Sequence, residues 1–313
     1  MSGQSDIFDF LKTEGIEPEL TEGVKRFRAE YPVPEEFGDR LRSRERSGGF
    51  VYYGREIWNK AIAALLCGKN LLLAGPKATG KNVLSENLCE LFGRPGWNIS
   101  FHVSMDASYL IGADTFNGEK VVFRPGPVTE CARCGGFAIL DEINMAKNEA
   151  LAVLHASLDF RRVIEIPGYE RIPIHGAARF LATMNYGYAG TRELNEALTS
   201  RFAVLSMPVI SGENLEKLLF SRFPDLSPKY RGQFTALFMD LEKKAESAEI
   251  SERAVDLRGL IDALGLIRTG LSAGDALDMC VRDKTFDPFE RKLIGDLMES
   301  RIPRALDRSR IFS

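Results

Sequence analysis

Histidine is scarce in this chain: three in 313 residues, His102, His155 and His175. They lack metal-ligand spacing, and neither an H-E-x-x-H nor a G-x-S-x-G run occurs, so zinc-hydrolase and serine-hydrolase chemistry find no support. Five cysteines, an odd number spread along the chain, do not make a disulfide framework. Cys131 and Cys134 form a C-x-x-C pair without the second half of a zinc site, and read as ordinary reduced thiols. A basic surplus is also missing: 41 Lys and Arg face 44 Asp and Glu, a net charge of -3, which argues against a dedicated nucleic-acid binder. No apolar run approaches the ~20 residues of a membrane span. The polar start "MSGQSDIFDF" lacks the basic-then-apolar order of a secretory signal. The expected location is cytoplasmic.

What is present is an ordinary globular composition, 44% hydrophobic and 27% charged, with length for about two domains. Residues 1–48 are charged and weakly patterned and read as a helical extension with a linker, closing on the basic run "RLRSRERSGG". Residues 49–210 read as α/β. Apolar runs predict strands at "NLLLAG" (70–75), "ISFHV" (99–103), "FAILDE" (137–142), "RFLATMN" (179–185) and "RFAVLSM" (201–207), with helices between several of them. Such alternation predicts a parallel sheet flanked by helices. Two insertions interrupt it: "DTFNGEKVVF", with Asn117-Gly118 as a hairpin turn, and "RRVIEIPGYERIPI", alternating around Pro167-Gly168. Residues 211–300 read as a smaller all-helical domain and 301–313 as a tail. There, Phe234, Leu237, Phe238 and Leu241 fall on one helical face, as do Leu257, Leu260, Ile261 and Leu264. Ser251 and Glu252 are expected to cap the second of these helices. Asp287, followed by Pro288, is expected to cap a third.

The chemistry begins at "GPKATGKN", Gly75 to Asn82. It follows a strand, precedes a helix and almost spells the phosphate-binding loop G-x-x-x-x-G-K-[ST]. Gly75 and Gly80 let the backbone wrap closely. The amides from Lys77 through Ala78, Thr79, Gly80 and Lys81 to Asn82, at a helix N-terminus, would stabilise negative charge, and Lys81 would reach the β and γ phosphates. Asn82 replaces the hydroxyl residue that holds magnesium. Its carboxamide oxygen is still a hard ligand, so the cation should be weakened or shifted rather than lost.

Three further signals follow. "FAILDEIN" ends a buried strand in Asp141, placed to hold a magnesium-bound water, and Glu142, placed to polarise an attacking water. "RFLATMNYGYAGTRELNEALTSRF" ends another strand in Asn185, which could position the same water, and continues to Arg201. That residue is either a finger on the γ phosphate or half of a surface ion pair with Glu193 or Glu196. "ISERAVDLRGLIDAL" places Arg258 in the first turns of a helix of the second domain, where it could sense the γ phosphate, with Arg253 as a rival.

Together these motifs resemble the AAA+ ATPases, and within them the MoxR type close to the CbbQ/NorQ branch, over roughly residues 50 to 295. In that resemblance "GPKATGKN" is the Walker A segment, through Val83, and "FAILDEIN" the Walker B. "ATMNYGYAGTRELNEALTSRF" runs from sensor 1 to the arginine finger, and "DLRGLIDAL" is the sensor-2 helix. "FNGEKVVFRPGPV" is similar to the helix-2 insert, "RVIEIPGYERIPI" to the pre-sensor-1 hairpin, and "YYGRE", with Tyr53 and Gly54, to the segment that contacts adenine. The resemblance implies a P-loop NTPase core with a five-stranded parallel sheet and a helical lid, a hexameric ring, and ATP or ADP bound with Mg2+ on Asn82 and Asp141. It also implies a chaperone or activase that remodels a client protein, with a von Willebrand factor A-domain partner. Two positions depart from the family: Asn82, and Tyr186 where proline is common. Two other readings stay open: a nucleotide-gated binding module that hydrolyses little, and a DNA-acting motor.

Overall fold

The computed structural model of the chain describes residues 7–33, 50–166, 168–169, 171–186 and 193–312. The basic run at 40–49 and residues 187–192 of the sensor segment lie outside the described residues, as does Pro167 of the second hairpin. Two units are distinguished. One comprises the chain to Pro208 without Lys77–Thr79, the other those three residues and the chain from Val209.

The first unit begins with helices α1 (Ile7–Glu14), α2 (Pro18–Glu30) and α3 (Arg55–Leu66). Strand β1 (Asn70–Gly75) leads into α4 (Lys81–Phe92), then β2 (Gly96–Ser100), the short α5 (Ala107–Ile111), and β3 (Gly112–Phe116) paired with β4 (Val121–Pro125). Helix α6 (Pro127–Cys134), β5 (Phe137–Asp141), α7 (Asn148–Leu151) and α8 (Leu154–Leu158) follow. The unit closes with the small pair β6 (Val163–Ile164) and β7 (Ile172–Pro173), then β8 (Arg179–Asn185), α9 (Glu196–Thr199) and β9 (Phe202–Ser206).

The sheet has the strand order β2-β5-β8-β1-β9, all pairs parallel. Parallel neighbours need crossovers, and the helices that supply them cover the faces. That is why β1 is buried along its whole length. Leu84, Leu88, Leu91 and Phe92 of α4 are all buried, as the helical spacing predicts, each such side chain contributing about 1.5–3 kcal/mol. Leu11, Val24 and Phe27 of the first two helices belong to the same apolar cluster as Trp58, Leu65 and Phe92. The strand expected at 99–103 lies three residues earlier. Its register against β5 runs from Gly96–Phe137 to Ser100–Asp141, and the backbone turns soon after, with Met105 N–H donating to His102 O (3.0 Å).

Both insertions form antiparallel hairpins. In the first, Asn117 Oδ1 accepts from Glu119 N (3.1 Å) and Lys120 N (3.0 Å), and Gly118 takes φ 100°. The hairpins are joined by Tyr169, whose hydroxyl donates to Asp114 Oδ1 (2.7 Å) and whose ring lies 5.3 Å from that of Phe123.

At the amino ends of the strands, three arginines are held by backbone carbonyls. Arg94 donates to Gly135 O (2.6 Å), Tyr31 O (2.6 Å) and Cys134 O (3.1 Å). Arg179 donates to Leu65 O (3.0 Å), Gly176 O (2.7 Å) and Ala178 O (2.9 Å), and Arg162 to His175 O (2.8 Å) and Ala178 O (3.1 Å). Burial, reinforced by the Arg162 charge, pushes Arg179 down to about 10.

The second unit is helical among its described residues: α10 (Gly212–Arg222), α11 (Pro228–Glu246), α12 (Leu257–Thr269), α13 (Ala273–Cys280), α14 (Pro288–Arg301) and α15 (Arg308–Ile311). Phe234, Leu237, Phe238 and Leu241 of α11 are all buried. Asp287 caps α14, accepting from the Phe289 and Glu290 amides. The cap of α12 is Asp256, not Ser251, because that helix starts at Leu257 and the Asp256 side chain accepts from Arg258 N. Ser251 instead donates through its amide and hydroxyl to the Glu290 carboxylate (3.1 and 2.9 Å). The chain after α14 packs on this unit: Ser227 N–H donates to Ile311 O (3.0 Å), and Phe312 meets Phe223. Among the described residues no helix is long and apolar enough to cross a membrane.

Candidate functional site

The loop between β1 and α4 is shaped by its two glycines. A Cβ on Gly75 would stand 2.7 Å from Met207 O, so the backbone approach there excludes any side chain. Gly80 takes φ 79° as the N-cap of α4, and a Cβ on it would meet the Tyr52 ring at 3.0 Å. Tyr52 is fixed in turn, its amide donating to Asn87 Oδ1 (2.9 Å) and its carbonyl accepting from Trp58 Nε1 (2.8 Å). Glycine at position 80 also means that α4 starts without a side-chain cap, so no side chain of the N-cap residue competes for the first-turn N–H groups. Lys81 lies buried beside them, donating to Gly75 O (3.0 Å) and Pro76 O (2.5 Å). Burial pushes its ammonium down to about 8, against the opposing pull of the Asp141 and Glu142 charges.

Those acids sit at and just past the carboxyl end of β5, beside β8. Since Leu140 is level with Ala182, Asp141 comes level with Thr183. Asp141 accepts from Thr183 Oγ1 (2.6 Å) on one oxygen and from Asn82 Nδ2 (3.0 Å) on the other. Glu142 turns into the left-handed region, φ 54°, a conformation that costs a side-chain-bearing residue about 1–2 kcal/mol. Its amide donates to Thr183 Oγ1 (3.0 Å), and its carboxylate accepts from Asn185 Nδ2 (3.2 Å). Asn144 braces the same corner by donating to Asn185 O (2.8 Å).

The structure thus joins Lys81, Asn82, Asp141, Glu142 and Asn185 into one cluster, adding Thr183 and Asn144, which sequence reasoning did not single out. Thr183 had a signal, since residues two apart on a strand share a face and Asn185 was already marked. Asn144 sat unread within "FAILDEIN". Arg201 stands elsewhere in the first unit. It donates to Ala197 O and pairs with Asp159 Oδ2 (3.6 Å), not with Glu193 or Glu196, while its Nε is buried without a partner. Tyr53 packs edge-on against Phe10 (5.4 Å), and Gly54 N–H donates to Glu14 Oε1 (3.1 Å). Val83 is half-buried against the core. In the second unit Lys77 is exposed, Ala78 takes φ 60° and Thr79 is buried. Arg258 and Arg253 of that unit are both exposed. Among the described residues no group of three or more His, Cys, Asp or Glu could hold a metal by itself.

Residues 70–202 match the AAA domain of the dynein-related subfamily. The uncharacterized protein YojN of Bacillus subtilis (strain 168) is 34% identical over 276 residues, 87% of this chain and 89% of its own length. This chain belongs to the AAA family. The uncharacterized protein SSP1341 of Staphylococcus saprophyticus is 35% identical over 258 residues, 80% of this chain and 97% of its own. Among solved structures, a RuvB mutant from Thermotoga maritima aligns with 79% of this chain and 68% of its own at 15% identity, with a TM-score of 0.46.

In this AAA protein the donor sets fit the groups the family implies. An uncapped helix N-terminus with a buried lysine suits a polyphosphate, and the oxygens of Asp141 and Asn82 are hard ligands of the kind Mg2+ takes. One condition attaches to the cation. A carboxylate only accepts hydrogen bonds, so Asn82 must show Asp141 its NH2 group. For one cation to sit between Asn82 and Asp141, the amide must turn its oxygen toward the carboxylate and give up the 3.0 Å bond.

Proposed function

We propose that the chain binds ATP with Mg2+ at the start of α4 and hydrolyses it. The carrying observation is the hydrogen bond between Glu142 and Asn185 beside the Asp141 carboxylate. Glu142 is an acceptor for the proton of a water, and Asn185 fixes that acceptor's direction. Lys81, kept dry and cationic, meets the phosphate charge, which draws it from the loop carbonyls it now bonds. Bound Mg2+ would supply charge neutralisation at the phosphate oxygens.

The finer reading rests on the MoxR-type resemblance. Residues 49–210 act as nucleotide-binding core and 211–300 as lid, with 1–48 and 301–313 as extension and tail. Tyr53 and Gly54 contact adenine, Arg258 senses the γ phosphate, and Arg201 acts on a neighbour's nucleotide within a hexameric ring. The cycle remodels a protein client, with a von Willebrand factor A-domain partner. A second reading, a nucleotide-gated module with little turnover, is favoured by one observation: the Asn82 amide occupies a carboxylate oxygen of Asp141.

Glu142→Gln separates the two. On the hydrolytic reading, steady-state turnover falls about 10²–10⁴-fold while calorimetry still detects nucleotide binding. Equal, negligible turnover in wild type and variant, with binding intact, gives the second reading the field. Loss of all nucleotide binding from the wild type would sink both.

A further inference from the structure

The Thr183 hydroxyl touches both acidic residues of the site, the carboxylate of Asp141 and the backbone amide of Glu142. Thr183 is 1% exposed, and its hydroxyl has a single possible orientation. Asp141 can only accept, so the Thr183 proton points to Asp141 Oδ1 (2.6 Å). The remaining lone pairs then face the Glu142 amide, which donates at 3.0 Å. That second bond holds the left-handed turn at Glu142, where φ is 54°, and the turn sends the Glu142 side chain to Asn185 (3.2 Å). Thr183 and Asn185 lie two apart on β8, so one face of one strand anchors both the backbone and the carboxylate of Glu142.

We propose that Thr183 is a positioning residue for ATP hydrolysis: its hydroxyl sets the Asp141 carboxylate and clamps Glu142 in the conformation that meets Asn185. The proposal rests on the hydrolytic reading above. It does not ask Thr183 to touch nucleotide or to move a proton. Valine at this position keeps the shape and the β-branch of threonine without the hydroxyl, and serine keeps the hydroxyl without the methyl.

The test compares Thr183→Val with Thr183→Ser in the full chain. Misplacing a reacting group by about 1 Å costs on the order of 10² in rate. Thr183→Val should therefore lose ten- to a hundredfold in kcat, roughly, with KM for ATP within about twofold, and Thr183→Ser should recover most of the loss. Wild-type kcat in the valine variant, or a folded serine variant as slow as valine, overturns the proposal. The same chains are compared by amide hydrogen exchange across residues 140–145, which needs no turnover. The Glu142 amide should exchange roughly tenfold faster or more in the valine variant, with protection restored by serine. Equal protection in all three overturns the clamp even if the chain hydrolyses nothing, an outcome that would count separately against the hydrolytic reading. Should the valine variant not fold, Thr183→Ala, which leaves room for a water, takes its place in both measurements.

Discussion

The two ends of the parallel sheet are built from different kinds of hydrogen bond. At the amino ends, Arg94, Arg162 and Arg179 donate to backbone carbonyls, which belong to fixed loops and strand starts. At the carboxyl ends, Asn82, Asp141, Thr183, Glu142 and Asn185 bond largely to one another's side chains. A backbone carbonyl cannot swing away or change charge without moving the chain, whereas carboxamides, carboxylates and an ammonium can turn, exchange partners or titrate. The difference teaches where to look for work in an α/β sheet whose two ends are equally polar. The end with exchangeable partners is the candidate site, and the end with immovable ones is a brace.

The contrast is open to direct attack. The largest effect is expected at the brace. Arg179→Met strips donors from Leu65 O, Gly176 O and Ala178 O. Leu65 O keeps the Gly68 N–H and Ala178 O keeps Arg162, so the loss is that of a charge-assisted hydrogen bond, about 1.5–3 kcal/mol, and the thermal midpoint should fall by about 3–12 °C while turnover per folded molecule holds. A variant that keeps its midpoint and loses turnover would put function at the wrong end.

A middle-sized effect concerns Lys81, whose proton is held down to about 8 by burial. A phosphate alongside raises that affinity for the proton, so nucleotide binding takes up a proton above about pH 8. Affinity should be level below that point and fall by up to about tenfold per pH unit above it. The free chain has the opposite trend. Its unfolded form keeps the Lys81 proton up to the ordinary 10.5, so this group's contribution to stability rises between about 8 and 10.5. Calorimetry in buffers of different ionisation enthalpy reads the proton uptake; pH-independent binding from 7 to 10 would remove Lys81 from the exchangeable set.

The smallest expected effect is at Asn82. Asn82→Ser removes the amide that must turn away from Asp141. The Mg2+ concentration needed for half-maximal nucleotide binding should drop by about three- to tenfold. A requirement that stays put or rises would mean that the carboxamide is no obstacle.

Much of this architecture was legible in residue order. The runs at 70–75 and 179–185 became β1 and β8 with the same bounds, because long aliphatic stretches with no competing helical period have one good home in a parallel sheet. Asp141, Glu142 and Asn185 could be marked because polar residues at the ends of buried strands are unusual enough to ask for a purpose. Thr183 escaped because threonine in a strand looks like any β-branched residue until its neighbour across the ladder is known. The Arg201 partner escaped for a similar reason: Asp159 is remote in sequence, and proximity along the chain had favoured Glu193 and Glu196. The α12 cap was missed because Ser251 had a competing acceptor, Glu290, far along the chain.

Leu11, Val24 and Phe27 share their apolar cluster with Trp58, Leu65 and Phe92, all but Phe92 N-terminal to the segment 70–202 that carries the family match. Excising that segment would strip the lining from one side of the sheet and leave greasy surface facing water. Anyone trimming this protein should keep residues 7–66, because the stretch that carries the family match is shorter than the apolar cluster it shares with the helices before it.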